Sequence, residues 1–84
     1  MKVIDSPSDL GYAVRSARKS LGLTQPELAL AAGVGVRFIV DVEAGKATVQ
    51  LNKVLRVIDV LGGRLAFFAH TDEPRFMRSG GNDG

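Results

Sequence analysis

The 84-residue chain contains no cysteine, only one histidine and no apolar run of membrane-spanning length. Without cysteine neither a disulfide framework nor a thiolate metal site can form, a composition that suits a reducing compartment. A transmembrane helix needs about 20 consecutive apolar residues, and no basic segment followed by an apolar one opens the chain as a secretory leader would. A soluble, cytoplasmic protein is expected. The single histidine, His70, stands far in sequence from any catalytic partner, so a solvated imidazole is expected there rather than an enzyme's acid or base. Excess charge is also scarce: 11 Lys and Arg against 9 Asp and Glu leave +2, so an electrostatic signal must lie in clustering. What is present is 45% hydrophobic residues, enough for one small core that gains from any partner adding buried area.

The densest signal is Leu23-Thr24-Gln25-Pro26-Glu27-Leu28-Ala29, followed by Ala32-Gly33-Val34 and then Ile39, Val42 and Glu43. Thr24 and Glu27 stand three apart ahead of apolar residues, the spacing at which a hydroxyl accepts from the N3 amide while the carboxylate accepts from the cap amide. Gln25 is then the first helical residue, where its amide and the unpaired backbone N–H groups face outward toward any anion. Ala29 allows a close helix crossing, and Gly33 supplies the positive φ that ends the helix in a tight turn. These offsets describe a helix-turn-helix. Upstream, Ser6 reads as an N-cap, with Pro7 at N1 and Asp9 near the positive end of the dipole. Leu10, Ala13, Val14, Ala17 and Leu21 recur at helical spacing up to Gly22. Downstream, a helix over about 49–61 carries Leu51, Val54, Leu55, Ile58 and Leu61 on one face and stops at Gly62-Gly63.

Between these segments local pattern and motif disagree. Val34, Val36, Phe38, Val40 and Val42 alternate with Gly35, Arg37, Ile39 and Asp41, a period of two made of strong strand formers. With Glu43-Ala44-Gly45-Lys46 as a turn and 47–51 as a return strand, a hairpin can be drawn. The helix-turn-helix spacing instead demands a second helix, with Val34, Ile39 and Val42 inward and Val36 and Val40 outward, where thymine methyls in a major groove would cover them. After the Gly-Gly pair, Arg64, Leu65, Ala66, Phe67, Phe68 and Ala69 have strand composition but no second strand to pair with. The same strand of another copy is the simplest partner; the alternative is that Leu65 and Phe67 fold back on the helices. From Glu73 onward the chain has little to bury. Gly33-Val34-Gly35-Val36-Arg37-Phe38 begins like a dinucleotide fingerprint, but Phe38 holds the third glycine position and no βαβ unit surrounds it. The expected organisation is a lead over 1–5, a helical domain over 6–63, a dimerisation strand over 64–70 and a disordered tail over 71–84.

Arg18-Lys19, Leu21-Gly22-Leu23-Thr24-Gln25, Glu27-Leu28-Ala29, Ala32-Gly33-Val34, Glu43-Ala44-Gly45-Lys46 and Leu61-Gly62 together resemble the lambda-repressor-like, or Xre-type, DNA-binding domains. Within them, Thr48-Val49-Gln50-Leu51, Val54-Leu55 and the apolar run after the Gly-Gly resemble HipB-type antitoxins of HipA/HipB toxin-antitoxin pairs. The resemblance runs from about Leu10 to Phe68. It implies an all-α bundle of four to five helices with one C-terminal β-strand used for dimerisation. It also implies a repressor that binds its own operator, double-stranded DNA, as a homodimer and holds a HipA-like Ser/Thr kinase toxin inactive, with no cofactor, no metal and no membrane. A stand-alone Xre-type repressor, and a protein-interaction module with incidental DNA binding, are the competing expectations.

By that resemblance DNA contacts are expected from Gln25, Gly35, Val36, Arg37, Val40, Asp41 and Lys46. Arg37 stands early in the recognition helix, where a guanidinium can take guanine O6 and N7 together, although an exposed arginine is also a common solubilising residue. Gln25 and Lys46 fall at backbone-contacting positions. Gly35 stands where the family commonly has a Ser or Thr cap, and Val36 and Val40 replace common polar readers, which leaves the operator sequence out of reach. Phe38 suits packing beneath the next helix as well. Arg15, Lys19, Lys53 and Arg56 fit either phosphate contacts or solvated faces. Dimerisation is expected through Arg64, Leu65, Ala66, Phe67 and Phe68. Arg18 and Glu43 match an arginine and a glutamate that the family often joins as a partly buried ion pair tying helix 1 to the recognition helix.

Overall fold

Four helices, α1 (Pro7–Ser20), α2 (Gln25–Ala32), α3 (Val36–Glu43) and α4 (Leu51–Val60), follow one another through short turns in the computed structural model, which describes residues 3–69. The first two starts have clear local causes. The Ser6 hydroxyl accepts from the Asp9 N–H at 3.1 Å, with Pro7 in the first turn. At α2 the capping box closes in both directions: the Glu27 N–H donates to the Thr24 hydroxyl at 3.1 Å, and the Thr24 N–H donates to the Glu27 carboxylate at 2.8 Å. Gly33, at φ 69°, ends α2 in the left-handed conformation that a side chain would resist. Helices α3 and α4 start from Gly35 and Gln50, neither of which makes a side-chain cap bond. Helix α4 is therefore shorter than the 49–61 expected, beginning only at Leu51.

Helix α3 packs against both α1 and α2, and α2 also packs against α4. Their meeting surfaces bury Val14, Leu28, Ala29, Ala32, Ile39, Val42, Val54 and Val57 in one core. Ile39 and Val42, three residues apart on α3, are almost wholly buried. Two such side chains fill the core from one face of a helix, and this outweighs the strand preference of the valine alternation.

Three expectations are corrected here. Leu21 closes the apolar stripe of α1 in sequence but lies exposed beyond the last helical turn. On α4 Val54, Ile58 and Leu61 pack on the core as expected, joined by the buried Val57, while Leu51 and Leu55 stay exposed at 65% and 41%. This helix is apolar over more than one face, and the monomer covers only part of it. Finally, residues 63–69 form no regular structure. Among the described residues no β-ladder forms, so the expected strand is absent from the single chain. His70 and the expected tail over 71–84 lie outside the described residues.

Candidate nucleic-acid interface

A buried ionic node fixes α3 in place. The Arg18 guanidinium, from α1, donates through Nε to Glu43 Oε2 at 2.7 Å and through Nη2 to Oε1 at 3.0 Å, while its Nη1 reaches the Leu23 carbonyl at 2.8 Å. The side chains are only 10% and 5% exposed. Burial alone would push the Glu43 carboxyl up, but hydrogen bonds from Arg18 and Gln25 and the positive charges of Arg18 and Arg15 hold it below the ordinary carboxylate value. The hydrogen bonds that Arg18 donates to Glu43 raise the arginine's pKa further, against the opposing effect of burial. The ion pair expected from the sequence is thus present, and it joins α1, the turn before α2, and the last residue of α3.

Gln25 departs from expectation. Its side chain does not face outward as a free amide: Nε2 donates to Glu43 Oε1 at 3.1 Å, making α2 the third helix tied to the node. At this helix start a single backbone amide is left over. Pro26 has no N–H, the Glu27 N–H is taken by Thr24, and the Gln25 N–H has no partner among the described residues.

With its inner face held, α3 turns Val36, Arg37 and Val40 away from the core. Val36 is 44% exposed and the Arg37 side chain 84% exposed, whereas Val40 is half-buried. Asp41, one turn after Arg37, lies between two cations: 3.4 Å from Arg37 Nε and 3.6 Å from Lys46 Nζ. The structure therefore gathers Arg37, Asp41 and Lys46 into one charged cluster beside the two valines. Gly35 sits at the start of the same helix with ordinary φ of −76° and open space where a Cβ would project. Nothing in the fold requires glycine there.

Phe38 turns out to be a packing residue, half-buried against the core with the Lys53 ammonium 5.8 Å above its ring. Arg56 supplies a contact that sequence reasoning missed: its Nη2 reaches the Gly33 carbonyl at 3.4 Å, linking α4 to the turn before α3. No local sequence signal marks a bond spanning 23 residues. Of the expected dimerisation residues, Leu65, Phe67 and Phe68 are exposed at 65%, 87% and 54%.

Two short helices joined at a left-handed glycine, the first carrying a capping box and the second anchored by its inner face with basic and apolar side chains turned outward, define a helix-turn-helix domain. The chain belongs to the helix-turn-helix family, which it matches over residues 14–68, and this is a family of regulators rather than enzymes. It is 57% identical over 61 residues to the uncharacterized HTH-type transcriptional regulator y4mF of Sinorhizobium fredii (strain NBRC 101917 / NGR234), covering 73% of this chain and 80% of that one. A chain of the HipA-HipB-O2-O3 complex superposes with a TM-score of 0.75 at 24% identity, over 84% of this chain and 100% of that one, a likeness of fold. The restriction-modification controller protein C.AhdI of Aeromonas hydrophila superposes with a TM-score of 0.63 at 28% identity, over 69% of this chain and 84% of that one.

Proposed function

We propose that this protein is a sequence-specific transcriptional repressor that inserts α3 into the major groove of its own operator as a homodimer. The observation that carries the reading is the two-sidedness of α3: Ile39 and Val42 are locked into the core while Val36, Arg37 and Val40 face out next to Lys46. A helix of this diameter fits the major groove, where valine can meet a thymine methyl and arginine can take a guanine edge bidentately. Lys46 and the open Gln25 N–H are placed for backbone phosphates.

The test is a titration of wild type, Arg37→Ala and Lys46→Ala against a duplex enriched from a random-sequence library and against a scrambled duplex, at two salt concentrations. Arg37→Ala should lose about 1–3 kcal/mol per half-site on the enriched duplex and relax its preference at one base pair. Lys46→Ala should weaken both duplexes alike and flatten the salt dependence by about one unit of slope. Equal losses from Arg37→Ala on both duplexes would remove α3 as the reader.

The homodimer is supported by the apolar surface that the single chain leaves open, Leu51 and Leu55 on α4 together with Leu65, Phe67 and Phe68. Pairing of the two 64–70 segments would supply the ladder that one copy lacks. The resemblance of Thr48 to Leu51 and of the segment after Gly63 to HipB-type antitoxins, with the likeness in fold to a chain of the HipA-HipB-O2-O3 complex, favours a more specific role: holding a HipA-like Ser/Thr kinase toxin inactive in the cytoplasm. Co-expression with a HipA-like kinase encoded beside its gene should yield a stable complex. A kinase that elutes free and active would leave a stand-alone repressor.

A further inference from the structure

We propose that Asp41 is a specificity-setting residue of the α3 surface, holding Arg37 and Lys46 back from indiscriminate phosphate binding and aiming Arg37 at a base edge. The inference rests on the reading of α3 as the DNA-facing helix and concerns how that helix discriminates. The two carboxylate oxygens are divided between the cations, Oδ1 facing Arg37 Nε at 3.4 Å and Oδ2 facing Lys46 Nζ at 3.6 Å. The acid is the inner member of the cluster, with 23% of its side chain exposed against 84% for Arg37 and 53% for Lys46. It is also the one acid on the outward face of α3, since Glu43 is buried with Arg18.

That arrangement has unequal effects on different DNA sequences. The carboxylate repels every phosphate, so it weakens attachment to all duplexes through a contribution that carries no sequence information. By drawing the Nε side of the guanidinium toward itself, it also biases the side chain toward arrangements in which Nη1 and Nη2 stay available to grip guanine O6 and N7 together. The second effect is gained only where a guanine meets Arg37. A charge that lowers all binding while orienting one reader raises the ratio between correct and incorrect sites. Exposed ion pairs add little to folding stability, so the cluster can be altered with the fold intact.

The experiment compares wild type, Asp41→Asn, Arg37→Ala and the double variant on the enriched and scrambled duplexes at two salt concentrations. Asn keeps the size and one acceptor oxygen and removes the charge. Asp41→Asn should bind the scrambled duplex about tenfold more tightly at low salt, with a salt slope steeper by about one unit as the freed cations neutralise phosphate. Its affinity for the enriched duplex should change less than about threefold, so that selectivity falls. In the Arg37→Ala background the same change should still tighten scrambled binding, through Lys46, but should no longer alter preference at the Arg37 base pair. A loss confined to the enriched duplex would mean that Asp41 itself accepts from a cytosine amino group, and an equal gain on both duplexes would mean that it acts by charge alone. Either result overturns the proposal. Absence of salt-dependent duplex binding by wild type would instead bring down the reading of α3, and this inference with it.

Discussion

Glu43 is an ionised carboxylate shut away from water, and it is tolerated there because Arg18 grips both of its oxygens while Gln25 adds a third bond. A pair of this kind adds modest net stability, yet removing one partner strands the other and costs about 3–5 kcal/mol. For a domain whose total stability is about 5–15 kcal/mol, Glu43→Gln is therefore expected to lose a large share of that stability at neutral pH and to unfold at lower urea. The pH dependence follows from the direction of the shift. Because the native carboxyl titrates below its unfolded value, the unfolded chain binds the proton first as pH falls. The stabilisation is complete above about pH 4.3, the unfolded value, and drains away as pH descends through the depressed native value. Urea unfolding of wild type and Glu43→Gln across the acid range should show this loss in wild type and its disappearance in the variant.

Gly11 marks how closely α1 approaches α3. A Cβ at this position would stand 2.5 Å from the Val42 carbonyl oxygen and 2.8 Å from that of Glu43. In an open helix, replacing glycine by alanine gains about 1 kcal/mol. Here the obstructing atoms are backbone, so the helices must separate, at a cost of about 1–3 kcal/mol. Gly11→Ala should accordingly lower the urea midpoint, and a raised midpoint would contradict the close approach. The sequence carries a glycine amid the α1 stripe but nothing that names its neighbour. Where structure follows from neighbours a few residues away, it was readable: the Ser6 cap, the Thr24–Glu27 box and the Gly33 turn all stand where their spacing puts them. In the valine-rich stretch that became α3 the local pattern pointed to a strand, and only the helix-turn-helix spacing pointed to the observed helix, because burial of Ile39 and Val42 is decided by distant partners. On α4 the expected face holds at Val54, Ile58 and Leu61 but not at Leu51 and Leu55, because apolar residues on several faces give no local ground for choosing Val57 over Leu55. In the interface, the Arg18–Glu43 pair was legible through resemblance, whereas the turning of Gln25 toward Glu43 depends on side-chain geometry across 18 residues.

The single chain leaves Leu51, Leu55, Leu65 and Phe67 in water, more than a small domain gains from exposing without a partner. The proposed dimer makes a sharp expectation, because these side chains contribute little to the monomer's own core. Leu51→Glu and Phe67→Asp should each leave the helix content of the chain unchanged while converting dimer to monomer in sedimentation equilibrium. Either variant remaining dimeric at micromolar concentration would move the interface elsewhere. Loss of the dimer should also abolish tight binding to paired half-sites about 10 base pairs apart, centre to centre.

The node at the end of α3 also bears on how such a protein can diverge. Arg18, Gln25 and Glu43 hold the helix by its inner face and final turn, and Val36, Arg37, Val40 and Asp41 take no part in that bonding. Mutation can therefore rewrite the outward positions one at a time without endangering the scaffold. A duplicated copy that keeps the ionic node can drift in its outward residues while each intermediate remains a folded protein.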